Sequence, residues 1–180
     1  MSNLVLDAIK GRRSAVRFES TSVEEEKLKT VLEAGRWSPS WLNKQPWNFI
    51  IITDKSIKEK LSEVVPTVFV KGLREAPVCI AVVADTTVDQ YHFVEAGAVA
   101  TQNMALAAHS LGLHSCWIGI FDVKNQKKSS ENRVREILEV PKTHRAIALL
   151  PIGYTRQENL KAERKTLDQI VYQNRFGNKT

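Results

Sequence analysis

Cysteine is almost missing from this sequence. Cys79 and Cys116 are the only two in 180 residues. Both lie inside apolar runs, and neither has a second Cys or a His at metal-ligand spacing, which excludes a disulfide framework and a zinc site. We read both thiols as reduced packing residues. Long hydrophobic runs are missing too. No stretch approaches the roughly 18–20 apolar residues that a membrane span needs, and the opening MSNLVLDAIKGRR is too polar and too short for a signal peptide. No membrane partner and a cytoplasmic location are expected. The net charge of +6 comes from scattered lysines. The one dense basic run, residues 124–128, has no aromatic side chain among its charges on which a base could stack, so no nucleic-acid partner is expected. The same excess charge suits a phosphorylated cofactor or an anionic substrate.

Catalytic motifs are also absent. There is no Walker A run, no G-x-G-x-x-G, no H-E-x-x-H, no G-x-S-x-G and no C-x-x-C. His92, His109, His114 and His144 show no paired spacing with carboxylates, and we read each as a surface or satisfied core residue. With neither a nucleophile set nor a metal set, the chemistry has to be borrowed from a cofactor, the protein supplying binding and electrostatics. We see no internal repeat and no low-complexity linker, so residues 1–180 are expected to form one domain, or one subunit whose core another copy completes.

Two stretches look built for a ligand. The run SPSWLNKQPWNFIII, residues 38–52, sets a donor-rich turn directly before an apolar strand. Ser40, Asn43 and Gln45 can hydrogen-bond, Pro39 and Pro46 stiffen the loop, and Trp41 and Trp47 offer flat apolar surface. The run GRRSAVRF, residues 11–18, crowds Arg12, Arg13, Arg17 and Ser14 at the end of an apolar helix and reads as an anion clamp.

Periodicity predicts alternating helices and strands. Asn3 caps a helix over residues 4–10 that Gly11 ends. Ser22 and Glu25 form a capping box opening a helix to about Arg36, and Ser56 and Glu59 form another, whose helix Pro66 breaks. Strands are expected over residues 48–53, 78–84, 115–119 and 146–152, the first apolar on both faces and therefore central. A helix is expected over residues 130–139, and Thr166 and Gln169 can cap a last short turn. The helix over residues 91–111 is rich in Ala and apolar on nearly every face, so it is expected to be buried all round, with a symmetric partner supplying part of the cover.

Taken together, R-R-S, P-S-x-x-N-x-Q-P-W, A-x-x-x-Q-N-M-x-L-A-A-x-x-L-G-L, S-C-W-I-G and L-P-I-G-Y followed by E-R-K occur in the order and spacing of the nitroreductase family, which the chain resembles over nearly its whole length. The resemblance implies an α+β fold with a mainly antiparallel central sheet flanked by helices, and a long buried helix at a homodimer interface. It implies a flavoprotein with FMN at two sites between the subunits, NADH or NADPH as electron donor and a nitroaromatic, quinone or related small-molecule acceptor in a ping-pong cycle. On that likeness Arg12, Arg13 and Ser14 clamp the phosphate and ribityl end, and Arg164 and Lys165 reach the phosphate from the C-terminal side. Pro39, Ser40 and Asn43 match a loop offered to the flavin bound mainly by the other subunit. Trp117, Ile118 and Gly119 match the segment under the isoalloxazine ring. No side chain is expected to act as acid or base, so no catalytic residue is named. The chain departs from the family at Val16, where relatives carry a basic residue near flavin N1 and O2; Lys71 or Arg17 could replace it. It also departs at Trp41, which could narrow the pocket mouth or stack an aromatic substrate. A redox-sensing or FMN-storage module without nicotinamide turnover, and a reductive dehalogenase or flavin-fragmenting enzyme, are the rival functions.

Overall fold

A computed structural model describes residues 3–157 and 162–179. Helix α1 (Leu4–Gly11) begins where the Asn3 side chain accepts from the Val5 and Leu6 N–H groups, each at 3.1 Å, as its position before an apolar run requires. Helix α2 (Glu25–Arg36) follows, then a short turn, strand β1 (Trp47–Ile52), helices α3 (Lys55–Ser62) and α4 (Thr67–Glu75), and strand β2 (Val78–Asp85). Helix α5 (Phe93–Ser110) leads to strands β3 (His114–Ser115) and β4 (Ile118–Gly119), then to helix α6 (Ser130–Ile137), strand β5 (His144–Gly153) and the short helix α7 (Leu167–Ile170).

The sheet runs β1-β2-β5-β3, with β4 also paired to β5, and every pairing is antiparallel. This is the expected α+β class. Strand β2 is buried along nearly its whole length, with cores on both sheet faces. One core packs α3, α4 and α6 around Leu61, Leu73, Val134 and Leu149; the other packs α2 and α5 around Val31, Met104, Ala105 and Leu150. The small residues of α5 let its backbone come close to β5. A Cβ on Gly97 would approach Ile147 Cγ1 to 2.7 Å, nearer than real carbon contacts allow.

Several expectations need correction. Among the described residues strand β1 pairs with β2 alone and is an edge strand, with Ile51 47% exposed; an apolar run does not report the presence of two neighbours. Helix α5 buries only one side within the chain, through Ala96, Gly97, Ala100, Thr101, Met104, Ala105 and Ala108. Val99 is exposed on its other side, because a single chain has nothing left to cover that face. Neither Ser22 nor Ser56 caps a helix. Asp54 Oδ1 accepts from the Ile57 N–H at 2.9 Å and from the Ser56 hydroxyl at 2.7 Å. Helix α2 begins after Glu24, whose carboxylate is taken by the Tyr154 hydroxyl at 2.7 Å. Pro66 does not only end a helix; it stands at the N-cap of α4, an element the sequence pattern missed. The expected strand over residues 115–119 is broken into β3 and β4.

Candidate functional site

Two pieces of chain from opposite ends of the sequence meet at one cavity. Arg13, with Ile9 and Lys10 of α1, faces Arg164 and Ala162 across about 390 Å³. The Arg13 guanidinium is held by donating to Lys10 O at 2.6 Å and to Arg12 O at 2.8 Å, and Arg164 donates to Glu163 O at 2.7 Å. Three cationic side chains around one space repel each other unless an anion joins them, and guanidinium forks suit a phosphate. Lys10 was missed in the sequence, although a basic residue in the last turn of α1 beside R-R-S was a usable signal. Lys165 is exposed beside Arg164 and does not line the cavity.

Arg12 is the C-cap of α1, and its N–H donates to Ala8 O at 3.0 Å. Its Nε is buried and has no hydrogen-bond partner among the described residues. Such a group costs on the order of 1–3 kcal/mol when left unmade, more when charged, so an acceptor from outside the chain fits here. Ser14 makes an isolated parallel bridge with Ser115, and the Ala15 N–H donates to Ser115 O at 3.1 Å. The clamp is thereby tied to β3. Burial pushes the neighbouring Cys116 thiol up, opposed by the Ser14 hydroxyl and Arg12.

The chain beyond the clamp is held from two sides. Val16 and Arg17 N–H donate to Gln157 Oε1 at 2.9 and 3.1 Å, and a Cβ on Gly72 of α4 would come within 2.8 Å of Val16 O. Val16 packs on the core. Of the two cations considered in its place, Lys71 pairs with Glu75 at 3.4 Å. Arg17 shares a surface cavity with Glu19 and Glu75.

Trp117 and Gly119 are solvent-facing, Trp117 at 37% exposure, while Ile118 between them is buried in the core. Strand alternation explains this: Ile118 opposite Leu149 points inward, and its two neighbours point out. Gly119 thus offers bare backbone beside an indole whose Nε1 lies 3.9 Å from its Cβ position.

Pro39, Ser40 and Asn43 lie outside the cavity of Arg13 and Arg164. Their loop is folded on itself. Ser40 Oγ accepts from the Gln45 N–H at 2.9 Å, Gln45 Nε2 donates to Asn43 O at 3.3 Å, and Leu42, Asn43 and Gln45 all have left-handed φ, between 47° and 55°. Three such residues in a row of four are strained and need support from around them. Trp41 supplies some. It stacks on His92 with centroids 5.0 Å apart, and Lys44 Nζ lies 4.5 Å from its ring centroid. Trp47 packs against Ala96 and Ala100 and keeps only 8% of its surface exposed. Among the described residues no group of His, Cys, Asp and Glu could hold a metal.

The sequence profile of the Nitroreductase family matches residues 9–71 and 66–154. A protein of Methanothermobacter thermautotrophicus, provisionally named an NADH dehydrogenase/NAD(P)H nitroreductase, is 32% identical over 83% of this chain and 76% of its own. Among solved structures, an FMN-dependent nitroreductase of Clostridium difficile is 30% identical with a TM-score of 0.84, covering 95% of this chain and 99% of its own. A provisionally named nitroreductase of Desulfovibrio desulfuricans in complex with FMN is 30% identical with a TM-score of 0.81, covering 98% and 99%.

Proposed function

This chain belongs to the nitroreductase family and is an FMN-dependent oxidoreductase; from that premise we propose that it works as a cytoplasmic homodimer, oxidising NADH or NADPH and reducing nitroaromatic, quinone or related acceptors. When bound, FMN supplies the redox chemistry, accepting a hydride from the nicotinamide and passing it to the acceptor in a ping-pong cycle. The observation that carries the reading is the cavity that joins Lys10 and Arg13 to Arg164, beside the buried, unpartnered Arg12 Nε. In this reading Arg12, Arg13 and Arg164, with Lys10 beside them, hold the phosphate and Ser14 the ribityl end. Trp117, Ile118 and Gly119 lie under the ring, where the missing Cβ of Gly119 allows close backbone approach. Pro39, Ser40 and Asn43 serve the site of the second copy. The chain's contribution is to bind and orient.

A second copy is supported by surface that one chain leaves bare. Leu4, Val5, Ala34, Trp37, Asn103 and Leu106 line an open pocket of about 410 Å³, and Trp37 there is 73% exposed. Contiguous apolar surface of this kind marks an interface. Among the described residues no helix is long and apolar enough to cross a membrane.

Acid precipitation of the purified protein is expected to release a yellow supernatant that chromatographs as FMN, and NADH or NADPH to bleach the bound flavin in stopped flow. Colourless protein that takes up no added FMN refutes the reading. Bound flavin that neither nicotinamide reduces points instead to a storage or sensing module.

A further inference from the structure

Two histidines pack against the end of α1 that carries the clamp. His109, in the last turn of α5, lies so close to Gly11 that a Cβ there would come within 2.6 Å of His109 Nε2. His114, which opens β3, meets it edge-on with ring centroids 6.5 Å apart, and His114 Nδ1 is buried without a hydrogen-bond partner among the described residues. Burial holds both rings below the ordinary histidine value; Arg12 and Arg13 press His109 down further, and His109 does the same to His114. Among the described residues the charged and titratable groups acting on His109 are Arg12 and Arg13, which follow the end of α1, and its ring neighbour His114 of β3. Cys116, beyond β3, stays an uncharged thiol because burial pushes it up. Asp7, the acid in the first turn of α1, does not contribute to the shift of either ring.

Resting on the reading of the neighbouring cavity as an FMN phosphate site, we propose that His109 is a proton-linked member of that site: neutral when the clamp holds no anion, it takes up a proton when a phosphate dianion settles among Arg12, Arg13 and Arg164. The physical reason is the field at the ring. A dianion cancels the repulsion from Arg12 and Arg13 and adds attraction for the imidazolium. The proton then binds more tightly in the complex than in the free protein, so by linkage FMN binds more tightly as pH falls through the window between the two His109 values. This tightening is lost as pH rises above the value in the complex. The phosphate's own second ionisation, near pH about 6, acts with the opposite sign, since the cationic clamp favours the dianion and binding expels that proton. Opposite signs make the two contributions separable.

Holoprotein is diluted at a series of pH values between about 5.5 and 8, and the FMN dissociation constant is read from recovered flavin fluorescence, for wild type and His109→Asn, with riboflavin as the ligand lacking phosphate. The wild-type constant is expected to rise with pH through the window between the two His109 values, the limit for one linked proton being about ten-fold per pH unit. The variant should lose that rise, and riboflavin should show none with either protein. A variant that keeps the wild-type slope, or a wild type without one, overturns the inference. Equal retention of FMN and riboflavin overturns the phosphate-site reading instead, whatever the slopes. If His109→Asn fails to fold by circular dichroism, the wild-type holoprotein decides. Its His109 Cε1 proton should titrate by NMR with a higher midpoint than in the same protein stripped of FMN, and an equal or lower midpoint overturns the inference.

Discussion

At the residue scale, what surrounds a group matters more than what it is. Cys79 and Cys116 were read as inert from their apolar neighbours, and Cys79 is fully buried in β2 with its thiol pushed up to about 12 by burial. Thiolate is the reactive form, so folded protein at about pH 8 is expected to resist iodoacetamide at Cys79, and denatured protein to be alkylated at both cysteines, as intact mass will report. Prompt alkylation of Cys79 in the native state refutes this. The sign for stability follows from the same shift. A thiol raised in the folded state stabilises fully below its ordinary value near 9 and loses that contribution as pH climbs toward about 12. Urea midpoints should therefore fall between about pH 8.5 and 10.5, and fall less in Cys79→Ala. Arg12 makes the opposite case. Its residue type and neighbours were legible in R-R-S, but the burial of Nε without a partner, the strongest sign of an external anion, exists only once α1, α5 and β3 are packed.

At the element scale, helix starts were the least legible feature. A serine three residues before a glutamate has the form of a capping box, yet a cap forms only where the backbone turns extended at that residue. Asp54 does so and bonds the Ile57 N–H; around residue 22 the chain is drawn on to Glu24, which Tyr154 and Lys27 hold. Asp54→Ala is expected to cost about 1 kcal/mol in chemical denaturation, and Ser22→Ala less than about 0.5 kcal/mol. The reverse order would show that the sequence pattern, not the structure, locates the caps. The long periodic elements were read within a residue or two, because β2, α5 and β5 carry runs too apolar to lie anywhere but against each other. Helix α5 ends just before Gly112, whose φ of 75° lies in the left-handed region that favours glycine.

For the whole molecule, the decisive expectation is that each site takes parts from two copies. Light scattering at micromolar concentration should give the mass of a dimer, since interfaces of this kind bury on the order of 2,000 Å² or more; a flavin-loaded monomer contradicts it. The crossing of the loop is tested by mixed dimers. Asn43→Ala paired with Arg12→Ala should leave one intact site and one doubly damaged site, whereas both changes in one chain, paired with wild type, should leave two singly damaged sites. Each lost hydrogen bond costs about 1–3 kcal/mol, roughly 5-fold to 150-fold in affinity, which a flavin titration resolves. Identical titration curves would show that Pro39, Ser40 and Asn43 serve no flavin, and the two patterns exchanged would show that they serve their own subunit.

By itself the sequence determined the order of its long elements, placed the arginines beside one another and, through its resemblance to a family, indicated the class of fold. Apolar periodicity and arginine spacing are local properties that survive in any packing consistent with them. Tertiary structure alone decided the rest. It brought Arg13 and Arg164 to one cavity although 151 positions separate them, set His109 against Gly11, made β1 an edge and left one face of α5 uncovered. Each of these depends on which surfaces meet, and a chain position carries no record of the neighbour that will desolvate it.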